Sequence, residues 1–332
     1  MRRLVQELLG LADAESMRRA LLAELVKVTA TTIGMSHRLV IDARGQLRVV
    51  DVAVHGPLEA RAQLEQLEGS SYRDLGVTPS GMLLDPVAFG RFSVIERDRI
   101  SPQTHTRIWE PLDVHSSFEM NLVHDGVFLS RVSLLRVEGD APATSSELVS
   151  LRSWPKVIVQ IHIAAIARAE APAEGEAVFV VDHDHQPSFS GGQSRHWQHG
   201  PLRQAVLRLI ASLDDQDEGS EPEDGYVDGT LLHAQRLRGV EREDGFLVQV
   251  IPVTPWRVPP VLELPPVSRR VAAMAARGAT AGDIAESLGR SQDTIRTHLR
   301  RAYETLGISS RTELTHIIGA LGGSPKYESN RA

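Results

Sequence analysis

The stretch that most constrains this chain is GATAGDIAESLGRSQDTIRTHLRRAYETLG, residues 278–307. Its punctuation predicts two helices joined by a tight turn. Thr280 is a helix-capping residue type, and the run behind it reaches Leu288. Gly289 then supplies the left-handed angles that a helix end favours. Ser291 opens a longer helix that runs to Leu306 and stops at Gly307. At roughly 100° per residue, Ile295, Leu299, Ala302 and Leu306 fall on one narrow face, which must pack inward. Asp293, Arg296, Thr297, Arg300 and Arg301 project from the other side. Gly282 weakens the first short helix by roughly 1 kcal/mol relative to Ala.

A free helix face carrying arginines and a threonine suits the major groove of a duplex. Arginine donates to guanine edges, and arginine or threonine holds phosphates. From Leu264 to Leu314 the chain resembles the LuxR-type helix-turn-helix domain of bacterial transcription regulators. The resemblance is carried by VAAMAARG (Val271 to Gly278), DIAESLG (Asp283 to Gly289), SQDTIRTHL (Ser291 to Leu299) and LGISSRTEL (Leu306 to Leu314), without a gap. It implies base contacts from Arg296, Thr297 and Arg300. It implies phosphate contacts from Thr280, Thr294, His298 and Arg301, with backbone amides at both helix starts. Gln292 and Asp293 complete the candidate DNA-binding set. The chain departs from the family pattern at Asp293, where a basic residue is common and an acid opposes phosphate. Pro265, Val267 and Ser268 replace the polar and acidic residues usual at the start of the domain. Leu314, Ile317, Ile318 and Leu321 show helical spacing on the last helix, which in the family often carries a dimer interface; packing on the domain's own core accounts for them equally well.

Charge supports a division of labour. The 332 residues carry a net charge of −7. Residues 262–322 hold eight arginines against six carboxylates, a net of +2, while residues 1–261 hold 26 basic and 36 acidic residues, a net of −10. An acidic body joined to a locally basic helix fits a regulator whose body does not touch DNA. There are no cysteines, which excludes disulfides, thiolate-held clusters and sulfur-linked chromophores. Met1 to Gly10 lacks the apolar core of a signal peptide. Val157 to Ala167, interrupted by Gln160 and His162, is too short to span a bilayer. A cytoplasmic location is expected of a DNA reader.

Residues 1–171 read in order as two helices (Arg2–Leu11 and Glu15–Ala30), a hairpin (His37–Ile41 and Leu47–Val54), and a helix (Pro57–Leu67). An irregular segment (69–111), a second hairpin across His124-Asp125-Gly126, and helices at Ser145–Arg152 and Pro155–Arg168 follow. This order is similar to a GAF-like sensory domain. Ala177–Val181, Pro201–Leu213, Leu231–Leu237 and Gly245–Val253 give strand, helix and hairpin, similar to a small PAS-like domain. The acidic run Asp214–Asp228 reads as an exposed loop. The expected architecture is therefore multidomain. An α+β sensory region (GAF-like 1–171, PAS-like 172–258) precedes an all-α, four-helix LuxR-type domain (259–324) and a disordered tail (325–332). Prolines from 252 to 266 stiffen the connector.

His183, His185, His196 and His199, beside Asp182 and Asp184, have spacing that transition metals use, although a polar histidine-rich loop is the simpler reading. VFVVDHDH (178–185) resembles the start of a phosphoryl-accepting receiver, but 172–261 contain no lysine, which such a site needs. Arg107, Trp109, His115 and Phe118 are candidates to line a ligand pocket, or plain core and rim. No phosphate-cradling glycine loop, zinc-protease motif or nucleophile elbow appears. No catalytic residue, resident metal or cofactor is expected. The sequence thus points to a non-enzymatic, DNA-binding transcription regulator. Its expected partners are double-stranded promoter DNA, a small-molecule effector, RNA polymerase and a second copy on DNA, with no membrane. The alternatives are a metal-dependent enzyme or a pure protein-interaction sensor built on 172–258.

Overall fold

Two hairpins and the helices that flank them appear in the order expected. In the computed structural model, residues 2–75, 82, 85–169, 177–182, 187–189, 200–214, 223–227, 230–237 and 245–322 are described. The four candidate metal histidines, the 242–244 part of the last hairpin turn and the 325–332 tail lie outside these residues. Contacts group the chain into two units that interleave along the sequence: residues 1–23, 35–71 and 160–256 form one, and 24–34, 72–159 and 257–332 the other.

The first unit contains α1 (Arg2–Leu9), the start of α2 (Ala14–Thr29), most of β1 (Ile33–Asp42), β2 (Leu47–His55) and α3 (Leu58–Glu65). It continues with β6 (Ala177–Asp182), β7 (Pro187–Phe189), α6 (Gly200–Asp214), β8 (Glu223–Val227), β9 (Thr230–Leu237) and β10 (Gly245–Pro255). β10 is the central strand. Its first half pairs antiparallel with β6 on one edge and β9 on the other, and its last residues pair with β1, Val40 opposite Pro255. Helix α6 covers this sheet with Leu202, Val206, Ile210 and Leu213, packed on Val181, Leu232 and Val248.

The acidic segment departs from expectation. Residues 223–227 are not loop but strand β8, paired with β9. The reason is long-range: the Asp224 carboxylate takes the Arg48 guanidinium and, at 2.7 Å, His233 Nδ1. Arg48 also donates Nε to Asp42 Oδ2 at 2.9 Å. Gly69 lies against the Asp224 backbone, with φ +79° and no room for a Cβ, so only glycine fits there.

A second charge cluster sits on β2, where Asp51 adopts φ +57°. Its carboxylate pairs with Arg38 at 3.0 Å and Arg18 at 3.5 Å, both buried. The N–H groups of Asp51 and Val52 donate to the two oxygens of Glu68 at 2.9 and 2.7 Å. Part of Glu68 reaches the surface, but its carboxyl group is inside. Burial, reinforced by the Asp51 charge, pushes its pKa up to about 8.

The second unit contains β3 (Ser93–Glu96), β4 (Val114–His124) and β5 (Val127–Val137), an antiparallel meander with β4 in the middle. It also holds α4 (Ser145–Leu151) and the start of α5 (Pro155–Ala169). Buried Arg136 braces it. The guanidinium lies 5.2 Å from the Phe118 ring, donates to Thr29 O at 2.8 Å and pairs with Glu147. Glu147 is also half of a capping box with Thr144 that starts α4. The chain then crosses the β4–β5 turn, where Val258 N–H donates to Gly126 O at 2.8 Å. It ends in α7 (Pro260–Glu263), α8 (Pro266–Ala276), α9 (Ala281–Leu288), α10 (Gln292–Leu306) and α11 (Arg311–Gly322).

Glu68 generates a pH prediction. Its folded pKa is raised, so the group stays protonated in the fold but ionises in the unfolded chain near its ordinary value of 4.5. The stability it contributes is therefore full below about pH 4.5 and is lost as pH rises through about 8, by up to about 1.4 kcal/mol per pH unit. Urea unfolding across this range should show the wild-type chain losing stability relative to Glu68→Gln. Parallel curves would contradict the assignment.

Candidate nucleic-acid interface

The face is built by local signals. Thr280 Oγ1 accepts the Asp283 N–H at 3.2 Å, and the Asp283 carboxylate accepts the Thr280 N–H at 2.7 Å. This capping box starts α9 and, chiefly through the Thr280 N–H, holds the Asp283 carboxyl below its usual range. Ser291 Oγ accepts the Thr294 N–H at 3.2 Å and starts α10. Gly289 and Gly307 end the two helices at φ +60° and +65°. The two short helices and the turn therefore stand where the capping residues predict.

Burial sets the rotation of α10. Ile295 is 0% exposed and Ala302 1%, packed in the domain that also buries Ile284, Leu314, Val271 and Ala272. Leu299 and Leu306 are partly covered. On the opposite side Gln292, Asp293, Arg296, Arg300 and Arg301 are exposed, with Thr294, Thr297 and His298 half-buried at the margins. All nine candidate DNA-binding residues, Thr280 included, lie on α10 or at the cap of α9.

The electrostatics refine the expectation. Asp293 is paired with Arg296 at 2.9 Å, and Arg300 stands 3.8 Å from Glu304. The arginine side chains are 64% and 71% exposed, so these pairs are held by a fraction of a kcal/mol and yield readily to a phosphate or a base edge. Thr297 Oγ1 donates to Asp293 O at 2.9 Å. His298 Nδ1 lies 3.0 Å from Ser268 Oγ. Partial burial, then the charges of Arg301 and Arg290, push the His298 pKa down and favour the neutral ring.

Two arginines of this domain were not recognised as structural from the sequence. Arg311 Nε and Nη2 donate to the carbonyls of Ala275 and Ala279 at 2.8 and 3.0 Å, tying α11 to the end of α8. Arg269 is fully buried. Position after a helix end signals the first, but nothing local signals the second.

The ligand candidates of the body lie at different depths. Trp109 and Phe118 are buried, Phe118 as the platform for Arg136. His115 is partly exposed, with Nδ1 3.1 Å from Ser116 Oγ, and Arg107 is exposed on a single π-helical turn. A different group stands together on one face of β4 and β5. Ser117, Glu119 and Asn121 face Arg131 and Ser133 across the strand pair, and Ser117, Glu119, Asn121 and Ser133 are buried. Arg131 donates to Glu119 at 2.9 Å, to Tyr72 Oη at 3.0 Å and to Asp85 at 3.0 Å. Both amide atoms of Asn121 are buried without a partner among the described residues. A separate groove of about 340 Å³ runs past Phe92, Ser93, Leu148 and Leu151, with Arg91 and Arg152 at its rim.

Residues 266–318 match the family model of bacterial regulatory proteins, luxR family. No curated protein matches the chain. Among solved structures, SdiA in complex with octanoyl-rac-glycerol aligns at TM-score 0.37 and 11% identity, over 96% of this chain and 93% of that one. Escherichia coli SdiA aligns at 0.36 and 13%, over 97% and 96%. The chromophore-binding domain of Stigmatella aurantiaca bacteriophytochrome aligns at 0.35 and 16%, over 49% of this chain and 58% of its own length. These structural likenesses are loose, and the assignment rests on the sequence match and the geometry above. Residues 266–318 are a LuxR-type helix-turn-helix domain.

Proposed function

We propose that the chain is a sequence-specific transcription regulator in which α10 reads the major groove and the sheet-bearing body controls how it does so. The observation that carries this reading is the α10 face itself. Arg296, Arg300 and Arg301 stand outward, with Thr297 half-buried at their margin, on a helix whose rotation is locked from behind by Ile295 and Ala302. Arg296, Thr297 and Arg300 point toward base edges, while Thr280, Gln292, Thr294, His298 and Arg301 flank them as phosphate contacts at two capped helix starts. Two copies on inverted half-sites about one helical turn apart would each present one such helix. RNA polymerase is the downstream partner in this reading.

A sensing role for the body is supported by the polar face of β4 and β5. A buried amide with neither atom satisfied, as at Asn121, is rare in folded proteins and is relieved by a bound molecule or water. Small-molecule control through this face, without catalysis, is the reading we adopt.

Two substitutions test the reader. Arg300→Ala should weaken binding to the specific operator by about 1–3 kcal/mol and leave random duplex nearly untouched. Equal losses on both, measured by fluorescence anisotropy, would remove Arg300 from base reading. Arg301→Ala should weaken binding to every sequence and reduce the slope of log Kd against log salt by about one. An unchanged slope would show that Arg301 makes no phosphate contact.

A further inference from the structure

Arginine on a helix of a DNA-binding domain normally stays in water, because burying a guanidinium without acceptors is costly. Arg269, on α8, has no exposed surface. Its Nη1 donates to Leu262 O, just ahead of α8, at 2.7 Å. Its Nη2 leaves the domain and donates to the main-chain carbonyls of Asp85 and Val87, the latter at 3.0 Å. The Phe89 ring lies 5.6 Å from the guanidinium carbon, within cation–π range. Nε has no acceptor among the described residues.

The segment that receives Arg269 is fastened on its other side to the sheet. Asp85 Oδ1 accepts the Val87 N–H at 2.9 Å, and Asp85 Oδ2 accepts Arg131 at 3.0 Å. Asn121 N–H donates to Ala88 O at 2.9 Å, and Gly90 N–H donates to Asn121 O at 2.8 Å. Residues 85–90 are thus a strap with two hands. One holds β4 and β5 through Arg131 and the Asn121 backbone; the other holds the DNA-binding domain through Arg269. The fork geometry matters, since a planar guanidinium spans several carbonyls at once and an ammonium does not.

We infer that Arg269 is a positioning residue that latches the DNA-binding domain to the 85–90 strap, so that the body dictates the direction in which α10 faces. The latch leaves Arg296, Arg300 and Arg301 in solvent. It therefore orients the reading face and does not hide it. The strap touches the same Arg131 and Asn121 that form the buried polar face, so any rearrangement there shifts the carbonyls that Arg269 grips. The functional consequence rests on the reading of α10 as the reader; the latch itself does not, and its test needs no DNA.

Because the chain has no cysteine, Val149→Cys on α4 and Ser287→Cys on α9 accept two spin labels without background. Electron–electron resonance on the free full-length chain should give one narrow distance distribution. Arg269→Met should widen it by on the order of 10 Å, the reach of a few released connector residues, while α10 amides keep their protection from hydrogen exchange. A narrow distribution in a folded Arg269→Met chain would overturn the latch. Should α10 lose its protection in that variant, Asp85→Ala, which leaves the DNA-binding domain unchanged and frees the strap from Arg131, takes its place. Widening with α10 intact then sustains the inference, and an unwidened distribution refutes it.

Discussion

The outward face of α10 depends on two buried side chains that share one stripe of the helix. Ile295 has no exposed surface, and Ala302, two turns further on, has almost none. A helix anchored at both points cannot roll without dragging apolar area into water, at about 25 cal/mol per Å². The side of α10 carrying Arg296 and Arg300 is therefore outward by exclusion. Its ends are set independently, by Ser291 in front and Gly307 behind. Packing and capping agree, which is the kind of consistency that defines a single native arrangement.

Buried arginine is the other recurring device. Arg48 gathers Asp42, Asp224 and the Gly69 carbonyl. Arg131 gathers Glu119, Asp85 and Tyr72, Arg136 gathers Thr29, Ala141 and Glu147, and Arg269 gathers carbonyls from Leu262, Asp85 and Val87. Each guanidinium joins segments remote in the chain by several directional bonds. Apolar contact alone allows sliding between packed elements, whereas these forks hold fixed geometry.

What was legible in the sequence was local. Thr280, Gly289, Ser291 and Gly307 announce helix ends through their own backbone chemistry, and the spacing of Ile295 and Ala302 announces a buried stripe. The two body hairpins were equally plain, because Gly45 and Asp125-Gly126 sit between alternating apolar runs. Strand β8 was not legible. Its acidic composition reads as loop, and it pairs because Arg48, 176 positions earlier, claims Asp224. Strand β3 was hidden for a similar reason: four residues carry no period of their own and are strands only because β4 offers an edge. Arg269 is the extreme case. By type it belongs in water, and the carbonyls that bury it lie 182 and 184 positions away. The ligand candidates chosen from the sequence were aromatic and basic residues near one another along the chain. The face that does hold unsatisfied polar atoms is set by cross-strand register, which single-strand reading does not supply.

The central claim is that the arginine side of α10 enters a duplex groove while the domain stays folded as described. The most direct measurement places a photo-crosslinking residue at Thr297 in the full-length chain, with a second version at His316 on the exposed side of α11. The account predicts covalent capture of duplex DNA from position 297 and little from 316. Capture from neither position, or equal capture from both, would contradict it.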